Sequence, residues 1–284
     1  MKKVGIIGNG FVGSAMAFGF GLHAEIRIYD KAKTKAMNTL EDTVNNSEFV
    51  FLCLPTPMET VLGGQIDLSI IESAFDDITK VDDGQNRIYV IKSTVIPGTT
   101  LHFKKKYPKL NIAFNPEFLT ERAAKLDFIN ASRVVLGGSE SDTARIEELY
   151  RDRFPYVKII RTDSQSAEFI KYMCTCFFAT KVSFINEMKQ ATDKLGLDWG
   201  SIMNGFISDG RMGNSHFDVP GHDGLHGFGG KCFPKDINAF ISFYEQHGIE
   251  PKVLKSVWDK NLEVREEYDW SSIEGAVSKD KSNG

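Results

Sequence analysis

A glycine-rich turn near the amino terminus is the feature that most constrains the fold of this chain. The turn directly follows the apolar run Val4–Ile7 and opens the helix-compatible segment Phe11–Leu22. Its sequence is Gly8-Asn9-Gly10-Phe11-Val12-Gly13. In a strand–turn–helix unit, such glycines permit a tight turn, close approach of the backbone to a pyrophosphate, and close packing of the helix on the strand. The segment therefore predicts a phosphate-binding turn at the start of a βαβ unit.

Apolar runs alternate with amphipathic segments through the first half of the chain. Seven runs have the composition of buried strands: Val4–Ile7, Ile26–Tyr29, Phe49–Leu54, Ile88–Ile91, Ile112–Phe114, Arg133–Leu136 and Val157–Ile160. Helix-compatible segments such as Phe11–Leu22 and Leu68–Lys80 lie between them. This alternation is typical of an α/β fold whose sheet is parallel. We therefore predict a Rossmann-like, doubly wound parallel sheet.

The pattern changes after the last of these runs. Ser164–Leu195 is long, poor in strand patterns and helical in composition. After a glycine- and histidine-rich stretch, two further helices are predicted, from about Pro234 to His247 and from Pro251 to about Tyr268. The predicted divisions are the sheet domain (1–163), an all-helical domain (164–270) and a polar tail (271–284).

Composition excludes several classes of protein. The formal net charge of −4 over 284 residues offers no general attraction to nucleic acid or to an anionic membrane. No apolar stretch approaches the roughly 20 residues of a membrane span, and glycines interrupt the apolar run at the amino terminus that resembles a signal peptide. The irregular spacing of Cys53, Cys174, Cys176 and Cys232 favours reduced thiols over a disulfide framework. We therefore expect a cytoplasmic protein without nucleic-acid or membrane partners.

An acidic residue at the end of the second predicted strand completes a dinucleotide site. Asp30 lies 22 residues after Gly8, where a carboxylate hydrogen-bonds a ribose 2′-hydroxyl and repels a 2′-phosphate. NAD is therefore the predicted cofactor, bound by the glycine turn and Asp30. Lys35, the last of three lysines that follow Asp30, is a further candidate for a ribose or adenine contact. The alternative for these lysines is a solvated face.

A cysteine-bearing segment carries the strongest signal for chemistry. Its sequence is Gly227-Phe228-Gly229-Gly230-Lys231-Cys232-Phe233-Pro234-Lys235-Asp236. The glycines permit close approach of the backbone to a ligand, and Pro234 suits the first turn of a helix, which places Cys232 at that helix's amino terminus. There the helix dipole and the flanking lysines favour the thiolate, the nucleophilic form of cysteine. The alternative, a buried structural cysteine, is disfavoured by these lysines and glycines.

This segment resembles the active-site motif of the UDP-glucose/GDP-mannose dehydrogenase family. The glycine turn and four other segments resemble that family in the same order, from Met1 to about Asn261. The four are Phe51-Leu52-Cys53-Leu54-Pro55-Thr56-Pro57, Lys92-Ser93-Thr94-Val95, Asn115-Pro116-Glu117-Phe118-Leu119 and Ala179-Thr180-Lys181-Val182-Ser183-Phe184-Ile185-Asn186-Glu187. The resemblance implies that two NAD molecules oxidise a nucleotide sugar by four electrons, through a thiohemiacetal and a thioester on Cys232. The implied substrate is UDP-glucose, which gives UDP-glucuronate, with GDP-mannose next.

The resemblance also assigns roles to individual residues. The catalytic residues that it implies, besides Cys232, are Lys171 for the oxyanion, Glu117 as general base, Asp236 and Thr94 for water and proton transfer, and Thr175. The further cofactor contacts are Thr56, Thr94, Glu121 and Lys235. The substrate contacts are Glu117, Phe118, Leu119, Lys171, Arg211 and Gly229. Arg211 would reach the substrate phosphate, in some members across a dimer interface. Without the resemblance, Lys171 is a surface lysine on an amphipathic helix and Arg211 a solvated loop arginine.

Two features depart from the family. Four residues after Lys171, on the same helical face, the family usually has asparagine, whereas this chain has Thr175. Threonine can donate one hydrogen bond there but has no amide. Typical members also continue into a carboxyl-terminal domain that helps to enclose the nucleotide, and this sequence stops at the helix that would lead into it. We therefore expect a short form of the family with an altered oxyanion site.

Two other functions stay open at this point. A β-hydroxyacid dehydrogenase also joins a Rossmann domain to a helical domain and uses a helical lysine, but it performs one two-electron oxidation without a cysteine. Loss of the carboxyl-terminal domain would also suit a non-catalytic NAD-binding subunit. Cys232, Lys171 and Asp236 favour the nucleotide-sugar enzyme, which requires no metal, although His216, His222, His226 and Cys232 have spacings that a zinc site also uses. The resemblance and the apolar content of residues 164–195 together predict a homodimer through this segment. The alternative is that the helix is internal core.

Overall fold

The computed structural model describes residues 1–278. The strands in that range are β1 (Lys2–Ile7), β2 (Ala24–Tyr29), β3 (Phe49–Leu52), β4 (Met58–Thr60), β5 (Gly63–Ile66), β6 (Ile88–Ile91), β7 (Asn111–Phe114), β8 (Arg133–Gly137) and β9 (Lys158–Thr162). The helices are α1 (Phe11–Phe20), α2 (Leu40–Asn45), α3 (Ser69–Val81), α4 (Thr99–Lys106), α5 (Ala124–Ile129), α6 (Glu140–Arg153), α7 (Ser164–Leu195), α8 (Trp199–Ile207), α9 (Phe233–Gln246) and α10 (Lys252–Val264). All seven runs predicted as strands form strands, whereas β4 and β5 were not predicted.

Contacts along the chain divide the molecule into two compact units. The first contains residues 1–56 and 68–171, and the second contains residues 57–67 together with the chain from Tyr172 onward. The boundary lies inside α7, whereas the sequence placed a division before α7, at residue 163. The β4–β5 hairpin belongs to the second unit, which no local pattern in the sequence indicates.

The seven strands of the first unit form one sheet in the order β2-β1-β3-β6-β7-β8-β9. The first five strands in this order are parallel, as predicted. β8 runs antiparallel to β7, with which it pairs through Phe114 and Gly137, and β9 is parallel to β8. The sheet is therefore mixed but mostly parallel, which confirms the predicted Rossmann-like α/β fold; the one antiparallel pairing in it, between β7 and β8, was not predicted. An apolar run shows that a strand is buried, but its composition does not depend on the direction in which the strand runs.

Apolar side chains on both faces of this sheet build the core of the first unit. Val4, Ile6 and Phe51 on one face, and Val50 and Leu52 on the other, are all fully buried. Burial of each such side chain contributes roughly 1.5–3 kcal/mol relative to exposure. This packing fixes the carboxyl ends of the parallel strands, which is the edge from which α/β sheets bind their ligands.

The second unit contains helices and one antiparallel hairpin formed by β4 and β5. Residues 164–270, all of them described, contain helices and no strand, as the fold prediction required. The hairpin is extended by residues from much later in the chain: the Met58 amide donates to the carbonyl of Ala276 at 2.8 Å, and the Ser278 amide donates to the carbonyl of Met58 at 2.7 Å. The predicted polar tail, 271–284, is described only as far as Ser278, and Ala276 in that part is buried.

The long helices begin and end close to their predicted bounds. α7 covers the predicted residues, and α9 begins one residue before Pro234. α10 ends at Val264, short of the predicted end near Tyr268, because Arg265 adopts an extended conformation with ψ of 112° and its side chain pairs with carboxylates. Within residues 1–278, no helix combines the length and the apolar content that crossing a membrane requires.

Candidate active site

The glycine turn between β1 and α1 has the geometry of a phosphate-binding turn. Gly8 has a φ of +99°, and a Cβ atom on it would lie 2.4 Å from the carbonyl oxygen of Cys53. A Cβ atom on Gly13 would lie 2.0 Å from the carbonyl oxygen of Gly8. At Gly10, by contrast, no described atom beyond its chain neighbours lies within 4 Å of that position. Packing therefore requires Gly8 and Gly13, while Gly10 leaves open space at the amino terminus of α1, where free N–H groups favour a phosphate.

Asp30, which directly follows β2, holds this turn with one carboxylate oxygen and the chain just after β2 with the other. Oδ2 accepts a hydrogen bond from the Asn9 amide at 2.7 Å, and Oδ1 accepts one from the Ala32 amide at 2.8 Å. Each carboxylate oxygen can accept two hydrogen bonds, so acceptor positions remain for a ribose hydroxyl. Lys35 is exposed, and its carbonyl oxygen accepts a hydrogen bond from Asn9 Nδ2 at 2.9 Å. These residues fit the ribose and pyrophosphate of NAD.

Two threonines from the predicted site meet where β3 and β6 end. The buried Thr56 donates a hydrogen bond from Oγ1 to the carbonyl oxygen of Thr94 at 2.9 Å. Next to them, Ser93 Oγ accepts a hydrogen bond from the Leu54 amide at 2.8 Å. These contacts fix the two chain segments that leave the carboxyl edge of the sheet, so Thr94 occupies a defined position.

A buried ion pair joins the loop after β7 to α7. Glu117 Oε1 lies 2.9 Å from Lys171 Nζ, and both residues are only 6% exposed. Glu117 Oε2 accepts a hydrogen bond from the Leu119 amide at 2.7 Å. Although burial by itself would raise it, the Lys171 ammonium and the Leu119 N–H hold the pKa of Glu117 below its ordinary value. The carboxylate is therefore ionised at neutral pH and held in one orientation.

The residues after Glu117 divide into a half-buried part and an exposed part. The half-buried Phe118 ring lies near two cations, with its centroid 5.7 Å from Lys171 Nζ and 4.1 Å from the Arg133 guanidinium carbon. Glu121 is exposed and begins a 3-10 turn, whereas Glu117 lies in the irregular segment before it. The two glutamates therefore do not share a helical face.

Lys92, which directly follows β6, is a buried cation to which the sequence assigned no role. Its Nζ donates hydrogen bonds to Asn115 Oδ1 at 2.8 Å and to the Pro116 carbonyl oxygen at 3.0 Å. Asn115 Oδ1 also accepts a hydrogen bond from Tyr150 Oη at 2.6 Å. These contacts fix the turn that leads into Glu117. Burial lowers the pKa of Lys92 to about 8.

Lys92 is expected to give the protein a pH-dependent stability. Its pKa of about 8 in the folded state lies below the ordinary value of 10.5, which we take for the unfolded chain. Between these values the folded state binds fewer protons than the unfolded state, so the free energy of unfolding rises with pH in that window. Relative to Lys92→Met, the wild type should gain about 2 kcal/mol between about pH 7.5 and about pH 9.5.

Urea unfolding of the two proteins at both pH values measures this gain. Lys109→Met, at an exposed position of the same unit, is the control and should show no such pH-dependent difference. If the difference in unfolding free energy between wild type and Lys92→Met is the same at both pH values, the buried ammonium does not have the low pKa described above.

In the second unit, Cys232 caps α9, as the sequence predicted. Cys232 is the N-cap residue, Pro234 lies in the first turn, and the Asp236 amide donates to the Cys232 carbonyl at 2.8 Å. The thiol is half-buried, and none of the four cysteines forms a disulfide. At this position the helix dipole favours the thiolate. Lys235 Nζ lies 2.5 Å from Asp236 Oδ1, and both residues are buried, so these two predicted site residues form one ion pair.

The glycines of the segment before α9 pack against protein side chains. A Cβ atom on Gly227 would lie 2.4 Å from Asn261 Oδ1, and one on Gly229 would lie 2.1 Å from Asp269 Oδ1. The sequence suggested that these glycines admit a ligand, but at these two positions the close neighbour is a side chain. Gly230 differs, since it has a φ of +73° and no described atom beyond its chain neighbours within 4 Å of its Cβ position.

Other predicted residues of the second unit differ in exposure. Thr175, at the position where the resemblance led us to expect asparagine, is buried. Arg211 is exposed and pairs with its neighbour Asp209, with Nη2 2.5 Å from Oδ2. His216 stacks face to face on Phe178, with ring centroids 4.2 Å apart. Arg211 is thus presented at the surface of this unit.

Within each unit, several residues that hold predicted site residues in place were assigned no role from the sequence. They are Asn115, Tyr150, Asn261, Arg265 and Asp269. For Asn115 and Lys92 a signal existed, because each is a polar residue directly after a buried apolar run. Arg265 and Asp269 pair with each other four residues apart, but no local signal indicated their contacts with Asp223 and Gly230, which lie about 40 residues earlier in the chain.

Both units carry regions that match one protein family. Residues 26–153 match the NAD binding domain of the UDP-glucose/GDP-mannose dehydrogenase family, and residues 165–263 match its central domain. The chain belongs to the UDP-glucose/GDP-mannose dehydrogenase family. Its first unit accordingly contains an NAD-binding domain, and the glycine turn lies just before the matched region.

Relatives of this dehydrogenase-family chain are longer than the chain itself. It is 34% identical over 235 residues to the UDP-glucose 6-dehydrogenase of Rickettsia conorii, an alignment that covers 81% of this chain and 52% of that protein. It is 28% identical over 303 residues to the UDP-glucose 6-dehydrogenase TuaD of Bacillus subtilis, covering 93% of this chain and 64% of that protein. The chain thus spans about half the length of the first relative and less than two thirds of the second.

Solved structures with the same fold come from two classes of dehydrogenase. A UDP-glucose dehydrogenase from the archaeon Pyrobaculum islandicum matches with a TM-score of 0.80 and 27% identity, over 93% of this chain and 68% of that one. A 3-hydroxyisobutyrate dehydrogenase from Mycobacterium tuberculosis matches with a TM-score of 0.72 over 91% of this chain and 92% of that one. At 16% identity the second likeness shows the fold alone. The fold therefore does not distinguish the two classes, whereas the family motifs do.

Proposed function

We propose that this chain is an NAD-dependent nucleotide-sugar dehydrogenase that oxidises UDP-glucose to UDP-glucuronate through Cys232. The observation that carries the proposal is a half-buried thiol at the amino terminus of α9, within the decapeptide that resembles the family's active-site motif. A thiolate in such a position can attack the carbon of an aldehyde. An enzyme that stops after one two-electron oxidation requires no such nucleophile, so Cys232 favours the four-electron reaction. The relatives named UDP-glucose 6-dehydrogenase support the choice of substrate.

The proposed reaction removes four electrons in two hydride transfers. The C6 carbon gives a hydride to the first NAD⁺ and its hydroxyl loses a proton, which leaves an aldehyde. The Cys232 thiolate adds to the aldehyde carbon, and after protonation of the oxygen the thiohemiacetal carbon gives a hydride to a second NAD⁺. Loss of the hydroxyl proton leaves a thioester. Water then attacks the thioester, the carbon–sulfur bond breaks, and the carboxylate and thiolate are released with the protons.

In this proposal Lys171 and Glu117 act as a coupled pair. Lys171 stabilises the oxyanion that forms when sulfur or water attacks the carbon. As its ammonium turns towards the oxyanion, Glu117 loses its strongest cationic partner, so burial raises the pKa of the carboxylate and makes it a stronger base towards water. Thr94 and Asp236 position that water and carry protons, and Thr175 donates to the oxyanion.

The proposed contacts with NAD and with the substrate follow the family resemblance. The glycine turn, Asp30 and Lys35 hold NAD, and Arg211 holds the substrate phosphate, to which the guanidinium fork is well suited. The further NAD contacts are Thr56, Thr94, Glu121 and Lys235. The further substrate contacts are Phe118, Leu119 and Gly229.

We also propose that the protein forms a homodimer through α7. On the part of α7 that belongs to the second unit, Met173, Phe177 and Phe184 are 64%, 61% and 50% exposed. Their spacing places them on one face of the helix. Large apolar side chains that are exposed on one face mark an association surface, and two copies of α7 can cover each other there.

Counting NADH per sugar tests the proposed function. With limiting UDP-glucose and excess NAD⁺, we expect two NADH for each UDP-glucuronate identified by mass spectrometry. One NADH per sugar with no acid formed indicates a two-electron dehydrogenase and rejects the proposal. A chain that binds NAD but oxidises no sugar of a panel that includes GDP-mannose indicates a non-catalytic subunit and also rejects it.

A further inference from the structure

Arg265, the residue after α10, has a buried guanidinium that holds two carboxylates. Its side chain is 1% exposed, and Nη2 lies 2.8 Å from both Asp223 Oδ2 and Asp269 Oδ1. Nη1 donates to the His226 carbonyl at 3.3 Å, and Nε donates to the Glu267 carbonyl at 3.1 Å. One side chain thus joins the glycine segment before α9 to the segment after α10.

Asp269 extends this contact to the backbone next to the nucleophile. Its Oδ1 binds Arg265, while its Oδ2 accepts a hydrogen bond from the Gly230 amide at 2.9 Å. Gly230 precedes Cys232 by two residues. The backbone of Gly229 lies close to the Arg265–Asp269 pair. A Cβ atom added to Gly229 would lie only 2.1 Å from Asp269 Oδ1 and 2.2 Å from Arg265 Nη2. The path of the backbone into Cys232 is therefore set by this pair.

The charges of this cluster favour one fixed arrangement. Although burial by itself would raise it, the Leu225 N–H and the Arg265 guanidinium hold the pKa of Asp223 below its ordinary value. Asp223 and Asp269 both face the buried guanidinium, and hydrogen bonds between charged groups are about twice as strong as neutral ones. Removing one carboxylate leaves a buried cation with less compensation, which is far more disruptive than loss of a surface pair.

We propose that Arg265 and Asp269 are positioning residues for the nucleophile. They act through the Gly230 amide and the packing of Gly229, and in this way hold Cys232 at the amino terminus of α9. There the helix dipole favours its thiolate. This inference rests on the proposed function only for the role of Cys232.

The test compares Asp269→Asn with Glu266→Gln, a matched loss of one carboxylate at an exposed position of the same segment. Alkylation of Cys232 by iodoacetamide in the full chain is followed by peptide mass spectrometry, with the partly exposed Cys174 as internal reference. We expect Asp269→Asn to lower the Cys232 rate about 10-fold relative to Cys174, which corresponds to one lost charged hydrogen bond. Glu266→Gln should leave the rate unchanged.

Turnover provides the second readout. In Asp269→Asn, kcat for NADH formation should fall by a similar factor while KM for NAD⁺ changes much less, because most of the proposed NAD contacts, the glycine turn among them, lie in the other unit. If Cys232 is alkylated as fast in Asp269→Asn as in Glu266→Gln, the proposal is overturned.

A second variant covers the case in which Asp269→Asn does not fold, as judged by thermal unfolding. Arg265→Lys keeps the charge but lacks the guanidinium fork that joins two carboxylates and two carbonyls. A lowered Cys232 rate in this variant supports the proposal, and a wild-type rate overturns it. If the wild type oxidises no sugar, the proposed function is rejected. The alkylation rates can still be compared in that case, because alkylation requires no sugar.

Discussion

Cys232→Ala is expected to form no measurable UDP-glucuronate while it binds NAD as the wild type does. Without Sγ, the aldehyde produced by the first hydride transfer is not converted to a thiohemiacetal, so the second hydride cannot leave. Removal of a covalent nucleophile can lower turnover by about 10³-fold or more. The measurements are uronate by mass spectrometry and NADH per sugar, which should not exceed one.

Cys174→Ala is the matched control, because Cys174 is also a partly exposed thiol of the second unit. It should keep the wild-type yield of two NADH per sugar. Uronate formation at the wild-type rate in Cys232→Ala would show that the covalent step is wrong. Membership of the family would still stand, since it rests on the matched domains.

Lys171→Met is expected to lose both stability and activity. It leaves the Glu117 carboxylate buried without the ammonium that lies 2.9 Å away, and breaking a buried ion pair in this way costs about 3–5 kcal/mol. Loss of an oxyanion donor lowers the rate by about 10²–10³-fold. Urea unfolding and the rate of NADH formation with saturating UDP-glucose measure the two effects separately.

A second substitution separates these two effects. In Lys171→Met combined with Glu117→Gln, neither member of the pair carries a charge, so most of the lost stability should return. Activity should not return, because the oxyanion cation and the base are both absent. Lys109→Met, at an exposed position of the same unit, should change the unfolding free energy by less than about 0.5 kcal/mol. Wild-type activity in the double variant would contradict both assigned roles.

The fold could be predicted where a segment carries its own signal. The apolar runs that became β1, β2, β3 and β6, the glycine turn after β1, and the whole of α7 were all recognisable from their own residues. Burial on both faces of a sheet produces a continuous apolar run, burial on one face of a helix imposes a local period, and the turn carries its own spacing of glycines. The direction of β8 and the place of the β4–β5 hairpin were not recognisable. Both depend on which distant segments pack together, and a strand's own residues do not encode that.

The features of the candidate site also divide into those that a local rule predicts and those that depend on distant residues. The position of Cys232 at a helix amino terminus followed from Pro234 two residues later, which is a local rule. The pairing of Glu117 with Lys171 joins residues 54 positions apart, and the contact between Gly230 and Asp269 joins residues 39 positions apart. No spacing rule connects residues at such separations, because the tertiary fold brings them together.

By itself the sequence determined where the seven strands of the large sheet and the long helices form, that a phosphate-binding turn follows β1, and that a cysteine begins a helix. These properties depend on backbone preferences and on apolar periods within a few residues. The tertiary structure decided that Gly10 alone of the three fingerprint glycines is open, that Glu117 is an ionised carboxylate, and that Lys92 is a buried cation. Each of these depends on desolvation and on the nearest charge, and both are supplied by residues that are distant in the chain.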